Sequence, residues 1–344
     1  MRGIRTEDVL SCILCTAPGQ ELYSGLKDSS VRHEGTFSIK RCAHCGLLWL
    51  SPRPVQEDMP RFYEGYYTHA QPSQKNGQPG PRLLGGLRDS LRESILCGYY
   101  GYRHLHAGHK WCILGGPLGR LTFMRLRATN ESKELLPHYK ENGHLIEIGC
   151  GQGDFLCRMK QLGWEVMGVE IDTEAARIAE AKGLEIHTKP LHQLALPGDS
   201  VDCITMNHVI EHVYDPIALI GECHRILKRC GAIIMYAPNS SSLGRVLFGG
   251  SWRAFDPPRH LYSFSYSSMK LLLEKSGFSK VTIKTTTRLA KGIYDASMMS
   301  KKSIRLDGQE APEQKGRDWF ALKERLYCAL GLNRGEEIFV KAVK

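Results

Sequence analysis

The chain predicts an α/β fold: a doubly wound, mostly parallel sheet closed by an antiparallel final hairpin, with a small zinc-binding module in front of it. Three observations carry that expectation. From residue 144 onward, short apolar runs alternate with stretches of helical period, the pattern of helices covering both faces of a parallel sheet. The first of those runs, "HLIEI", leads straight into the glycine-rich turn "GCGQG" at 149–153. Near the N-terminus, four cysteines fall into two C-x2-C pairs, "CILC" and "CAHC".

The elements follow in order. "HLIEI" reads as the first strand and "GDFLCRMKQLG" as its helix. "EVMGVEI" and "TEAARIAEAKG" form the next strand and helix, "LEIHT" a third strand and "VDCITMN" a fourth. "PIALIGECHRILKR" carries apolar residues at helical spacing and precedes the strand "GAIIMYAPN". "SSMKLLLEKSG" is another helix, and "SKVTIKTTT" with the terminal "EEIFVKAVK" makes the antiparallel closing pair. Between them, residues 290 to 333 form an insertion with one helix near "DWFALKERLYCAL".

Three regions are expected: a cysteine module over 1–70, a linker and basic helical segment over 71–133, and the sheet domain over 134–344. The linker, "QPSQKNGQPGPR", is rich in Pro, Gly, Gln and Ser. The basic segment, 82–128, supplies +6 of the net charge of +10 through Arg82, Arg88, Arg92, Arg103, Lys110, Arg120, Arg125 and Arg127 against Asp89 and Glu93. The basic character is therefore local, which argues against a general nucleic-acid binder. Its apolar patch "WCILGGPLGRLTF" suits a helical cap, a lid, or a surface touching lipid. No apolar run approaches the roughly 20 residues that span a bilayer, and "MRGIRTEDVL" lacks the apolar core of a signal peptide. A cytoplasmic location is expected, and with it thiols and metal rather than disulfides for the twelve cysteines.

Cys12, Cys15, Cys42 and Cys45 can close a tetrahedral cage of four thiolates that suits Zn2+ and leaves no open coordination position. The expected zinc is structural. His44, inside the second knuckle, is expected to point outward.

Gly149, Gly151 and Gly153 are spaced G-x-G-x-G, whereas the dinucleotide fingerprint needs its third glycine one residue later. That spacing argues against a nicotinamide enzyme. Glu170 ends the second strand, where a carboxylate can accept both ribose hydroxyls of an adenosine. Glu147 stands two residues before the first glycine, where it would repel a pyrophosphate and suit an ammonium group. The loop is shaped for an adenosine bearing an amino-acid tail.

On "EIGCGQGDF", "GVEID", "VDCITMNHVIEHVYDP", "ILKRCGAIIMYAPN" and "DPPRHLYSFS", the sequence resembles the class I S-adenosylmethionine-dependent methyltransferases, specifically those with an N-terminal zinc-ribbon-like module. The resemblance covers most of the chain except the basic segment and the late insertion. It implies a Rossmann-like sheet, with S-adenosylmethionine as cofactor beside the structural zinc. Gly149, Gly151 and Gly153 would then approach the methionine moiety, and Glu147 would face its ammonium. Glu170 would hold the ribose, Ile171 flank the adenine and Asn207 close the methionine side.

Methyl transfer needs alignment and removal of a proton from the acceptor. The expected bases are His260, in a loop stiffened by Pro257 and Pro258, and His208. In the ubiquinone-type O-methyltransferases, which carry a similar E-H-V-x-D-P stretch, the position of His208 is acidic, and the trio matching His208, Glu211 and His212 can bind a divalent metal. A histidine at 208 argues against Mg2+, which prefers oxygen ligands; Glu211 and His212 can equally brace the start of the helix. The acceptor is expected to be a small molecule or a glycan, lipid-linked or free, with O-methylation favoured. Residues 82–128 would make peripheral membrane contact, and nucleic acid is not expected as a partner. The competing reading is an RNA-binding or RNA-modifying protein that uses the cysteine module and basic segment.

Overall fold

The computed structural model describes residues 4–28, 35–63, 82–106, 112–120, 136–304 and 314–344. Nearly all of the expected linker, together with Lys110, Arg125 and Arg127, lies outside the described residues.

Along the chain, short strands β1 (Thr6–Glu7), β2 (Gly19–Leu26), β3 (Phe37–Cys42), β4 (Leu48–Leu50) and β5 (Arg53–Pro54) come first. A 3-10 turn over Gln56–Phe62 follows. Helices α1 (Arg82–Gly98) and α2 (Cys112–Arg120) occupy the described part of the basic segment. The alternating region runs β6 (His144–Ile148), α3 (Asp154–Gln161), β7 (Glu165–Val169), α4 (Thr173–Ala181), β8 (Glu185–His187) and β9 (Val201–Asn207). It continues with α5 (Pro216–Ile226), β10 (Leu227–Pro238), α6 (Leu243–Phe248), β11 (Tyr262–Ser263) and α7 (Tyr266–Lys275). The last elements are β12 (Lys280–Thr286), α8 (Ala290–Ile304), α9 (Gln314–Ala329) and β13 (Glu337–Val343). The seven-stranded sheet has the order β12-β13-β10-β9-β6-β7-β8. β6 pairs in parallel with β7 and β9, β7 with β8, and β12 pairs antiparallel with β13 from Lys280↔Val343 to Thr286↔Glu337. This is the doubly wound sheet with an antiparallel final hairpin that the sequence predicts.

By compactness the chain divides into two units, each discontinuous in sequence. The first comprises Tyr67–Met206 and Ile226–Ile234. Its core is Leu145, Ile146 and Ile148 of β6, Leu156 and Met159 of α3, Ala175, Ala176 and Ala179 of α4, and Cys203, Ile204 and Met206 of β9, all buried. Asp172 caps α4, its carboxylate accepting from the N–H groups of Glu174 (3.0 Å) and Ala175 (3.2 Å). Within the same unit, Trp164 Nε1 donates to the Tyr102 hydroxyl at 3.0 Å, and that hydroxyl donates to the Pro137 carbonyl at 3.0 Å. Tyr102 of the basic segment is thereby tied to Trp164, just before β7, and to Pro137, ahead of β6. Side chains on Gly98, Gly115 or Gly119 would collide with the facing helix, so these glycines let α1 and α2 approach closely. Cys97 and Cys112 are joined in a disulfide between the two helices, against the expectation of thiols throughout: the helix contact brings their Cα atoms to 5.4 Å, within disulfide reach.

The second unit comprises Met1–Tyr66, Asn207–Arg225 and Met235–Lys344. Its small sheet has the order β11-β4-β3-β2. The cysteine module is thus completed by a strand more than 200 residues later, through Tyr262↔Trp49 and Ser263↔Leu48. Around it, Leu47, Trp49, Leu50, Phe255, Leu261 and Phe264 are buried.

Two expectations need correction. The helix expected to continue to Arg229 ends at Ile226, because the Ile226 carbonyl accepts from Ser200 N–H at 2.9 Å and the fully buried Leu227 starts a strand. The insertion after β12 holds two helices rather than one. Ala290 of α8 packs with Phe320 and Ala321 of α9, joined by Leu243 and Tyr294.

Candidate active site and metal-binding clusters

In the first unit, β6 delivers Glu147 to the start of the glycine turn. Its side chain is buried, and Oε2 has no hydrogen-bond partner among the described residues. Burial, with Glu170 and Asp154 adding repulsion, raises its pKa well above the usual carboxylate value. Gly149, Gly151 and Gly153 all take positive φ (70°, 53° and 77°), where a glycine carries no side-chain penalty. They do different work. A side chain at Gly153 would strike Leu184 Cδ1 and come within 3.0 Å of Ala179 Cβ, so this glycine lets the turn pack on its neighbours; at Gly151 nothing lies within 4 Å.

Glu170 is also buried. Its Oε2 accepts from Gly151 N–H at 2.7 Å and its Oε1 from Asp172 N–H at 2.9 Å. Each carboxylate oxygen has two lone pairs, so the backbone fixes Glu170 while leaving it capacity for ribose hydroxyls. Ile171 follows with 73% of its surface exposed. A buried carboxylate without a partner, an open glycine face and an exposed apolar side chain beside a fixed carboxylate fit an ammonium-bearing adenosine cofactor.

In the second unit, the segment after β9 starts with exposed Asn207, whose Oδ1 lies 3.5 Å from the Arg288 guanidinium. His208 follows at φ 56°, its N–H donating to Tyr236 O at 3.0 Å. Its Nδ1 lies 3.0 Å from Glu211 Oε1 and its Nε2 2.7 Å from Glu337 Oε1. Burial alone would lower its pKa; the two carboxylates outweigh burial and raise it to about 9. Glu211 is fully buried, yet it is held down to about 2, since His208 overcomes the cost of burial. Arg288 closes the group, donating from Nε to Glu337 Oε2 at 2.8 Å while stacking 4.4 Å over the Tyr236 ring. Both ring nitrogens of His208 face carboxylate oxygens, an arrangement that favours the protonated ring.

His260 is placed differently. Its Nδ1 lies 2.8 Å from the Ala254 carbonyl. The His212 Nδ1 lies 3.1 Å from the Arg259 carbonyl and 2.8 Å from the Tyr63 hydroxyl. Carbonyls only accept, so these contacts favour a proton on Nδ1 of each ring, and the Tyr63 hydroxyl can donate to or accept from His212 Nδ1. The rings meet edge to face at 4.6 Å between centroids. Burial, then the neighbouring His260, pushes the His212 pKa down to about 4. Leu261 N–H donates to Glu211 O at 2.8 Å, fixing the His260 loop to the segment after β9. Arg259, fully buried, braces that loop through Asp256 Oδ2 (2.9 Å) and Asp28 Oδ1 (3.0 Å). One ligand atom from each of Glu211, His212 and His260 lies within 4.8 Å of the others. The sequence grouped Glu211 with His212 and treated His260 separately. The supporting Asp28, Tyr63, Arg288 and Glu337 carried no local signal.

Cys12, Cys15, Cys42 and Cys45 converge as their spacing predicts. Sulfur separations are 3.5 Å for Cys12–Cys45, 3.3 Å for Cys15–Cys42 and 3.8 Å for Cys15–Cys45. A tetrahedral Zn2+ with bonds near 2.3 Å needs sulfur edges of roughly 3.8 Å, so the four residues fit that ion. His44 is exposed and outside the cluster.

Comparison with known proteins agrees with this geometry. A family described as "Methyltransferase domain" matches residues 121–283. A Mycolicibacterium smegmatis protein named "Probable S-adenosylmethionine-dependent methyltransferase" is 28% identical over 145 residues, covering 42% of this chain and 54% of the relative. A ubiquinone biosynthesis O-methyltransferase from Albidiferax ferrireducens is 29% identical over 151 residues, covering 40% and 58%. The chain thus spans about half the length of the curated relatives it matches. Among solved structures, a SAM-dependent methyltransferase from Archaeoglobus fulgidus aligns with 68% of this chain and all of its own, at 19% identity and a TM-score of 0.43. With the sheet order and the glycine turn after its first parallel strand, the family match over residues 121–283 and the curated relatives support a class I S-adenosylmethionine-dependent methyltransferase domain in this chain.

Proposed function

We propose that the protein transfers the methyl group of S-adenosylmethionine to an oxygen of a small-molecule acceptor. The observation that carries this reading is Glu147, a buried carboxylate with an unpartnered oxygen at the mouth of the glycine turn. Its natural partner is the cofactor's ammonium. Glu170 would hold the ribose, Ile171 flank the adenine, Gly151 give the chain's close approach, and Asn207 close the methionine side. When bound, the cofactor supplies a methyl group already activated by the sulfonium. The protein's remaining work is alignment and removal of the acceptor proton. We assign proton removal to the cluster containing His260, and orientation of that cluster to His208.

O-methylation is favoured by the similarity to ubiquinone biosynthesis O-methyltransferases. Zn2+ held by Cys12, Cys15, Cys42 and Cys45 would stabilise the N-terminal module without taking part in chemistry, since four thiolates leave no open position. No described helix is long and apolar enough to cross a membrane. Contact of residues 82–128 with a lipid surface, or with a lipid-linked or glycan acceptor, is supported by Ile113, 86% exposed on a helix that ends in Arg120.

Calorimetry tests the central reading. S-adenosylhomocysteine should bind, NAD should not, and Glu147→Gln should weaken the former. Binding of NAD in preference to S-adenosylhomocysteine would overturn it.

A further inference from the structure

We propose that Glu211, His212 and His260 form a binding site for a nitrogen-preferring divalent ion, such as Zn2+ or Fe2+, through Glu211 Oε2 and the Nε2 atoms of the two histidines. This site is separate from the four-cysteine cluster. It also differs in ligands and in metal class from the His208–Glu211–His212 trio that the sequence suggests.

Four observations converge. First, the ligand atoms are already gathered: one from each residue lies within 4.8 Å of the others. An ion about 2.0–2.2 Å from each would need ligand atoms roughly 3–4 Å apart, so only a small contraction is required. Second, both histidines are oriented as ligands. Each Nδ1 lies against a backbone carbonyl, Arg259 O for His212 and Ala254 O for His260, and the Tyr63 hydroxyl adds a second partner for His212 Nδ1. Such outer contacts fix the tautomer and aim the Nε2 lone pair in metal-binding histidines. Third, Glu211 is 0% exposed, and its Oε2 has no hydrogen-bond partner among the described residues. A buried charged oxygen is costly unless a cation or donor meets it. Fourth, His208 binds only the other oxygen, Oε1, so it orients the carboxylate without occupying Oε2.

His208 itself cannot be a ligand while it stands between Glu211 and Glu337, because both of its nitrogens are engaged. Two imidazoles and one carboxylate favour Zn2+ or Fe2+ over Mg2+, which prefers oxygen ligands. Three protein ligands leave positions open for water or for an oxygen of a bound molecule, as in catalytic rather than structural metal sites. The ion's use on a methyl acceptor rests on the methyltransferase reading above; the binding site itself does not.

The test begins with protein whose cysteine cluster is filled with Zn2+ and whose excess metal is removed. Co2+ is then titrated by calorimetry and visible absorption. One further equivalent should bind, with weak bands typical of nitrogen and oxygen ligands and no sulfur charge-transfer band. Loss of an outer-shell partner typically costs 10–100-fold in metal affinity, so His260→Ala or His212→Ala, each removing a ligand, should weaken Co2+ by at least about 100-fold. His208→Gln, which can still donate to Glu211, should stay within about tenfold of wild type. A millimolar excess of Mg2+ should not compete. Absence of a second equivalent in wild type overturns the proposal without any variant. So does a thiolate charge-transfer band, or Co2+ affinity that survives His260→Ala, or equal losses in His208→Gln and His260→Ala. S-adenosylhomocysteine binding, measured on the same samples, separates the two readings: its absence with intact Co2+ binding removes the methyltransferase reading alone.

Discussion

His208 Nε2 lies 2.7 Å from Glu337 Oε1, across 129 positions of sequence. Glu337 is the first residue of β13, and His208 follows the last residue of β9. The final strand therefore supplies one of the two carboxylates that keep His208 charged, and Glu211 supplies the other. The result is a row of alternating charge, Arg288, Glu337, His208 and Glu211, behind the His212–His260 pair.

This row should make stability depend on pH. His208 titrates at about 9 in the folded protein against 6.5 ordinarily. Its contribution is complete below about 6.5 and is lost as pH rises through 9. The loss should be on the order of 2 kcal/mol. Glu211, held at about 2 against 4.5, works at the other end: its contribution is present above 4.5 and lost as pH falls toward 2. Melting temperatures of wild type should fall between pH 6.5 and 9.5, and His208→Gln should flatten that fall. A wild-type profile with no slope in this window would contradict the charge assignment.

Glu147 carries the sign opposite to that of Glu211. Burial raises its pKa in the free protein, so its effect on stability worsens as pH rises through the folded value. Glu147→Gln should leave the free protein at least as stable at neutral pH. It should also weaken S-adenosylhomocysteine by about 10–100-fold, the equivalent of a charged hydrogen bond worth roughly 1.5–3 kcal/mol. Thermal melts with and without ligand measure both effects. A variant that is destabilised but binds normally would assign Glu147 a structural role.

Much of this was legible in the sequence because it is local. Apolar runs gave the strands, and C-x2-C pairs gave the four-sulfur cluster. The glycine spacing separated this turn from a dinucleotide fingerprint. What escaped depends on distant pairing. Helix α8, "AKGIYDASMMSKKSI", lies in the stretch for which the sequence predicts only one helix, further on, and packs through Ala290 and Tyr294 with Phe320. The protonation of His208 could not be read from "NHVIEH", because it needs Glu337. His212 and His260 are 48 positions apart, and only the fold shows that their rings meet.

The three glycines of the turn also look equivalent in sequence and are not. Gly153→Ala should destabilise the free protein by roughly 1–3 kcal/mol, through overpacking against Leu184 and a positive φ of 77°. Gly151→Ala meets no neighbour and should cost only the conformational strain, about 1 kcal/mol. Gly151→Val should abolish S-adenosylhomocysteine binding by filling the space the ligand needs. Chemical denaturation with calorimetry distinguishes them; equal stability losses in both alanine variants would refute the division of roles.

The four-sulfur cluster makes a prediction of its own. Cys45→Ser should remove one equivalent of zinc per chain, as counted by metal analysis of freshly purified, reduced protein. Because zinc binding to such a site is coupled to folding, the N-terminal module should become the first region to exchange its amide hydrogens. Unchanged zinc content would exclude the four-cysteine site.

Arg259 joins the module to the His260 loop. Its guanidinium is fully buried and bridges Asp256 and Asp28, the latter 231 positions away. Burial opposes its charge, but the two aspartates raise its pKa further above the ordinary arginine value, while Asp256 is held far below the ordinary carboxylate range. Arg259→Met fills similar volume but takes the guanidinium from buried Asp28 and leaves Asp256 with Arg253, and breaking such a buried pair typically costs 3–5 kcal/mol. Adding Asp28→Asn and Asp256→Asn should recover a large share of that loss, because the buried carboxylate charges are then gone. Urea denaturation of the single and triple variants measures the difference. If the triple variant is no more stable than Arg259→Met, the cost lies in packing, and the ion network is not what holds the His260 loop.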